Sequence, residues 1–316
     1  MHIIREASII HALTLFTGTW LEAVPFLLLG IIFSAVVHVI VPDGFLQKQF
    51  PRNPVLGICF GVLGGFFFPV CDCASVPVFR SLVKKGIPLP AAVAFLTAAP
   101  IINPVVMLST WYAYGGNGRI VLARSLFGII CSVLIASTFL FKDASDFIPV
   151  KEGQNECCTD ISVMCRSFSE KTAAVISYSC SEFIEAGSWQ TAGIAVATLF
   201  QLLAGSGRTS FLSFHLLRPS GLGLFLSIVL MMGIAYMLSL CSTSDAVICS
   251  VIGKNFPPVA QLAFLVFGPM MDIKNTILLG GMCSWKLSAR MVLTTFVECF
   301  CVMAVFAVFG SGVRIL

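Results

Sequence analysis

Charge is what this chain has least of. Lys, Arg, Asp and Glu together make up 11% of its 316 residues, against about 25% in an ordinary soluble domain. With 58% hydrophobic residues and a mean hydropathy of +0.97, a water-soluble globule is excluded. The net charge of +4 is scattered, and no basic run is long enough to grip nucleic acid or a lipid headgroup. His2, His11, His38 and His215 show no metal-ligand spacing. A G-x-x-x-x-G-K-[ST] phosphate loop is missing, which excludes ATP-powered transport through that fold. Ser-His-Asp and zinc-protease arrangements are missing too, so the chain reads as a non-enzyme with no cofactor. The opening run MHIIREASIIHALTLFTGTW has no small-x-small cleavage site before the next apolar stretch. It is expected to be retained.

What remains is a series of apolar runs. In lipid every backbone N–H and C=O must pair within the protein, so such runs become helices. About 20 residues cross the hydrocarbon. Eight runs qualify, at roughly 20–41, 54–72, 88–113, 119–141, 184–205, 222–241, 257–280 and 289–311. Ala74–Gly86 and Thr243–Asn255 are too short to span and read as re-entrant segments. The expectation is an all-α, polytopic bundle of about eight spans in a bacterial inner membrane, plus two re-entrant segments.

The chain also repeats. Residues 75–100 and 244–269 share ten identities at an offset of 169, among them Ser75/Ser244, Lys85/Lys254, Pro88/Pro257 and Pro100/Pro269. Chance in so apolar a composition gives about two or three. Glu22/Glu185, Ala23/Ala186, Gly30/Gly193 and Ile31/Ile194 match at an offset of 163. Two halves are therefore expected, 1–141 and 180–316. They are joined by a polar linker, 142–179, that carries Cys157, Cys158 and Cys165. Lys and Arg divide ten to eight between the two sides, with Arg119 and Arg124 counted in loops. Such a split leaves orientation open. Parallel and inverted repeats also remain open.

Both halves place polar residues inside apolar spans, and paired proline-broken segments point to a transporter's binding site. Cys71-Asp72-Cys73 closes the second span, after the breakers Gly61, Gly64, Gly65 and Pro69. Two thiols one residue apart can both face a soft ion where the backbone is not helical, and thiolates select soft acceptors. In the second half Cys241, Ser242, Ser244 and Asp245 occupy the matching place. Cys71, Cys73 and Cys241 are the candidate metal or metalloid ligands, with Asp72, Ser242, Ser244 and Asn103 beside the substrate. Asp245, Asp272, Lys274 and Asn275 are candidates for proton or ion coupling. Asp272 and Lys274 cannot stand unpaired in lipid, so a mutual pair or a partner across the repeat is expected. Pro77, Pro100, Pro104 and Pro269 are the expected helix breaks. Glu22 and Glu185 open the first span of each half, where hydration accounts for them.

The runs FPVCDCASVPVFRSLVKKGIPLPAAVAFLTAAPIINPVVMLSTWYAYG, SLCSTSDA and AFLVFGPMMDIKNTILL closely resemble the bacterial predicted-permease family that includes the trivalent organoarsenical exporters. The similarity covers nearly the whole chain outside the linker and is greatest to the short Gram-positive-type members. In that family the first motif usually reads Cys-Glu-Cys-Gly, where this chain has Cys71-Asp72-Cys73-Ala74. Ser244-Asp245 matches the second motif. The resemblance implies a polytopic inner-membrane permease, with export of a thiol-reactive metalloid compound as one known activity. Two alternatives stand beside it. One is a metal-ion permease served by a separate partner protein. The other is a thiol–disulfide oxidoreductase using Cys71, Cys73, Cys157 and Cys158.

Overall fold

A computed structural model describes residues 2–40, 53–68, 70–141, 168–205 and 221–309. Among the described residues all regular structure is helical, as a lipid environment demands of an open chain. The first half holds α1 (His2–Ile40), α2 (Pro54–Phe67), α3 (Asp72–Lys84), α4 (Leu89–Ile102), α5 (Pro104–Ala113) and α6 (Gly118–Ser137). The second holds α7 (Phe168–Gly205), α8 (Gly221–Leu238), α9 (Asp245–Ile252), α10 (Pro258–Met270), α11 (Ile273–Met282) and α12 (Trp285–Phe309). A 3-10 turn, Gly253–Asn255, follows α9.

Among the described residues, five helical stretches are long and apolar enough to cross a membrane: Ala12–Val39, Leu89–Ala113, Gly118–Ser137, Pro258–Met282 and Trp285–Phe309. Two of the eight expected spans are shorter, because α2 has 14 residues and α8 has 18 with an apolar part of Gly223–Leu238. At 1.5 Å per residue α2 is about 21 Å long, less than the roughly 30 Å of hydrocarbon. The expected span at 184–205 lies within the 38-residue α7, which is not one of these five. That helix starts at Phe168, inside the stretch read as linker. Cys157, Cys158, Cys165 and Pro69 lie outside the described residues.

Helix association in lipid lacks a hydrophobic drive and depends on close packing and polar contacts. The core shows both. Every residue of α4 is buried, as is α10 from Ala260 to Met270, and the two pack on each other. Around them α2 and α6 cover α4, while α8 and α12 cover α10. Gly61, Gly64 and Gly65 do not break α2, which runs unbroken through them. Their smallness serves packing, since a Cβ on Gly61 overlaps the Ala91 carbonyl oxygen of α4.

The helix breaks also fall elsewhere than at the expected prolines. Pro77, Pro100 and Pro269 lie inside α3, α4 and α10. The first break is at Asn103 (φ −61°, ψ 131°), driven into extended geometry by the following Pro104. The second is at Met271 and Asp272, both extended, two to three residues beyond Pro269. The short helices complete the plan: α3 packs on α1 and α11, and α9 on α5.

Candidate functional site: a buried thiol and ion-pair centre

Cys71 caps the amino end of α3 in extended geometry, and Asp72 and Cys73 form its first turn. Cys71-Asp72-Cys73 therefore opens the short helix rather than closing the preceding span. This corrects the sequence expectation, because α2 already ends at Phe67. All three are buried, and their ligand atoms lie within 4.8 Å of one another. The Cys73 thiol is 3.8 Å from Asp72 Oδ2, and the Cys241 thiol is 3.8 Å from Asp72 Oδ1. One carboxylate thus sits among three free thiols.

Lys274, in the first turn of α11, holds that carboxylate. Its Nζ lies 2.8 Å from Asp72 Oδ2 and 2.9 Å from Asp272 Oδ2. It also donates to the carbonyls of Ser239 at 3.1 Å and Leu240 at 2.9 Å. Asp272 in turn caps α11, accepting from Asn275 N at 2.7 Å. Two acids against one ammonium leave a formal excess of one negative charge, and a buried net charge costs several kcal/mol. Gly193 of α7 allows the approach, since a Cβ there meets the Lys274 backbone at 2.9 Å.

The segment that carries Cys241 is not helical, and its carbonyls are held from outside. Ser239 adopts a left-handed conformation (φ 49°), costing about 1–2 kcal/mol for an L-residue. Its Oγ accepts from Lys274 N at 3.2 Å, which helps to offset the strain. Beyond it the Ser242 carbonyl accepts from Arg124 Nη2 at 3.4 Å, and the Thr243 carbonyl from the Ser109 hydroxyl. The Thr243 hydroxyl donates to Glu22 Oε1 at 3.3 Å, so Glu22 is engaged and not simply hydrated.

A second buried ion pair links α6 to α9. Arg124 of α6, only 1% exposed, pairs with Asp245 of α9 at 2.6 Å and donates to Thr110 Oγ1 at 2.6 Å. Arg124 is therefore a core residue and not the loop cation that the sequence tally made it. Nearer the α1 carboxyl end, Ser34 donates to the buried Glu182 at 2.9 Å and shares a 2.5 Å contact with Ser81. Glu185 pairs with Arg80 at 2.7 Å.

A family model described as predicted permease matches residues 8–308. The chain belongs to that family. Two similar relatives cover most of its length. The UPF0718 protein YcgR of Bacillus subtilis is 32% identical over 276 residues, 87% of this chain and 89% of its own. A Streptococcus mutans protein named as a putative two-component membrane permease complex subunit is 33% identical over 273 residues, covering 86% and 87%. UPF0718 protein YraQ of Escherichia coli is 24% identical over 132 residues, 42% of this chain and 36% of its own. No solved structure matches. The permease is thus a multi-pass protein of the bacterial cell membrane, and none of these three relatives is named as an enzyme.

The permease brings Cys71, Asp72, Cys73, Cys241, Asp272 and Lys274 to one centre. Ser242 and Asn275 flank it, each buried with a side-chain oxygen lacking a partner. Asp245 stands with Arg124, and the Ser244 hydroxyl donates to the Cys241 carbonyl at 3.1 Å. Asn103 is a cap for α5, accepting from Val105 N at 2.9 Å. Asn103→Ala is expected to cost about 1 kcal/mol while leaving uptake intact, read as a lower unfolding midpoint in detergent with unchanged transport in vesicles.

Three buried residues escaped the sequence reading: Arg124, Glu182 and Gln190, whose Nε2 donates to Cys73 Sγ at 3.1 Å. Arg124 carried a usable signal as a lone charge inside IVLARSLFGIICSVL. Gln190 and Glu182 sit in a stretch rich in polar residues, where nothing singles them out.

Proposed function

We propose that the permease is a secondary transporter that exports a thiol-reactive metalloid or soft metal species, with a trivalent organoarsenical as the first substrate to test. The observation that carries this reading is the clustering of the Cys71, Cys73 and Cys241 thiols around a carboxylate tied to Lys274. Soft acceptors prefer sulfur ligands. Two thiols replacing two hydroxyls on arsenic release two waters and leave the charge unchanged. A divalent cation taken by two thiols instead releases two protons, for which the adjoining carboxylates are the acceptors. The single uncompensated charge of Asp72, Asp272 and Lys274 is the natural place for a coupling proton.

The bundle works, in this reading, as two repeated halves with α3 and α9 as re-entrant helices, and with α2, α7 and α8 added to the five clear spans. The matched breaks support it: Asn103 and Asp272 are 169 residues apart and each caps the helix that follows. Rocking of one half against the other alternates access. The name given to the Streptococcus mutans relative adds a separate partner protein to the proposal. A soft metal-ion permease is the second reading, favoured by the close grouping of Cys71, Asp72 and Cys73.

Everted membrane vesicles test these readings. Methylarsenite should accumulate with a proton gradient and fail to do so when Cys71 and Cys73 are both Ser, although the variant still inserts. Normal uptake by that variant removes thiol ligation from the mechanism. Accumulation of a soft metal ion in place of the arsenical selects the second reading.

A further inference from the structure

Asp72, Asp245 and Asp272 each have a cation within 2.9 Å. Glu182 of α7 differs. It is 3% exposed, and none of the ion pairs among the described residues includes it. Its Oε2 accepts from the Ser34 hydroxyl at 2.9 Å, and its Oε1 has no partner. An ionised carboxylate offers about four lone-pair sites, and a buried charge left uncompensated costs several kcal/mol. A neutral acid avoids that cost, so this carboxyl is placed to gain and lose a proton.

The surroundings of Glu182 lead toward water. Ser34 lies five residues before the end of the span Ala12–Val39, about 7.5 Å along the helix axis. One turn further along α1, His38 stacks on Tyr178 of α7 with ring centroids 4.5 Å apart. From α3, Arg80 and Lys84 are within electrostatic reach of Glu182, as is Glu185 on its own helix. Cys283, which follows α11, is within reach of the same two cations. Arg80 is held by Glu185 at 2.7 Å, the Glu185 side chain is 43% exposed, and Lys84 is exposed. Charges so open to the outside belong at the membrane–water boundary.

The carboxyl is also tied to the thiol centre. Ser34 has one hydroxyl proton, which it gives to Glu182, so in its 2.5 Å contact with Ser81 of α3 it is the acceptor. A chain of donors thus runs from α3 through α1 to α7. Eight residues back along α3, Cys73 accepts from Gln190, itself eight residues beyond Glu182 on α7. The helix that opens with the thiols is therefore gripped twice, at points about 12 Å apart. Hydrogen bonds to an ionised acceptor are roughly twice as strong as neutral ones.

We infer that Glu182 is a proton-binding site of the permease, separate from the thiol centre, and that a proton there loosens the grip of α1 and α7 on α3. The ionised carboxylate draws the Ser81 and Ser34 hydroxyls toward itself. A proton arriving from the water at that face makes the acid neutral and weakens both bonds. The site extends the transport reading above without depending on arsenic as the substrate.

Purified permease in lipid nanodiscs is compared between about pH 5 and about pH 9, a range that brackets the titration of most buried carboxyls. Infrared difference spectra report the carbonyl stretch of a protonated carboxyl, and hydrogen exchange by mass spectrometry reports α3, corrected for intrinsic exchange. One carboxyl band should appear at the acid end in wild type and vanish in Glu182→Gln, whose amide oxygen still accepts from Ser34. Exchange of α3 in wild type should be roughly threefold faster at the acid end, as weaker neutral bonds imply, and Glu182→Gln should show the fast rate throughout. Ser34→Ala should keep the band yet lose the pH dependence of exchange, and it decides the matter if the Gln variant does not assemble. His38→Gln should keep both signals. The assignment is overturned if Glu182→Gln leaves every band in place, if the band does not change with pH, or if α3 exchange responds to pH alike in wild type and Glu182→Gln. Loss of the response in His38→Gln also overturns it. The Cys71→Ser/Cys73→Ser variant should retain both signals, so a failure of arsenical uptake strikes the thiol reading and leaves this site standing.

Discussion

Lys274→Met should nearly abolish the assembled protein. The substitution strands Asp72 and Asp272, both buried and each within 2.9 Å of the lost ammonium. Removing one partner of a buried pair typically costs about 3–5 kcal/mol, a large fraction of any domain's stability. It also frees the carbonyls of Ser239 and Leu240. The check is the amount of folded protein extracted from membranes, measured by fluorescence-detected size exclusion. Adding Asp72→Asn and Asp272→Asn removes the stranded charge and should restore assembly, because Asn still caps α11. Uptake should stay absent in that triple variant, since no titratable carboxylate or amine remains at the centre. Restored uptake would separate the Lys274 trio from coupling.

Arg124→Leu is the second large effect, and its rescue should differ. Asp245 loses its partner at 2.6 Å while fully enclosed, so a similar cost of about 3–5 kcal/mol follows. Arg124→Leu/Asp245→Asn carries no unpaired charge and should recover most of the folded protein. Arg124 also holds the Ser242 carbonyl next to Cys241, so cysteine-dependent arsenic binding in the rescued variant should be weakened but not lost. A rescued protein that binds no arsenic would make the pair part of the substrate site. The two sets of variants thus tell a structural clamp from a working charge.

The interrupted helices were legible in the sequence because a proline or a polar residue is costly inside an apolar run that lies in lipid. Asn103-Pro104 and Asp272 mark true breaks. Pro100 and Pro269 misled by a few residues, since a lipid-embedded helix tolerates a proline when neighbours satisfy the freed carbonyl. The Cys-x-Cys pair was legible, but its place at a helix start was not. That depended on where α2 ended, and its glycines carried two opposite meanings. As breakers they lengthen a loop; as packing residues they bring α2 onto α4. Arg124 and Gln190 were lost for a different reason. A helix with apolar neighbours on every side, lipid included, has no polar face to betray its register, and the Asp245 and Cys73 partners lie more than 100 positions away. The joining of Asp72 to Lys274 is of the same kind: chemistry requires a partner, and only the fold names it.

The strand of chain from Ser239 to Thr243 behaves like a string pegged at both ends. Lys274 holds one end by two carbonyls, Arg124 and Ser109 hold the other, and Cys241 lies on the stretch between them. Each cationic peg answers to a carboxylate, Asp72 and Asp272 at one end and Asp245 at the other. Any event that loosens the acids' grip at either end therefore retunes the third sulfur, without touching it. In the mechanism proposed above, occupancy of the thiols and the posture of the two halves would both be read by the same few peptide groups.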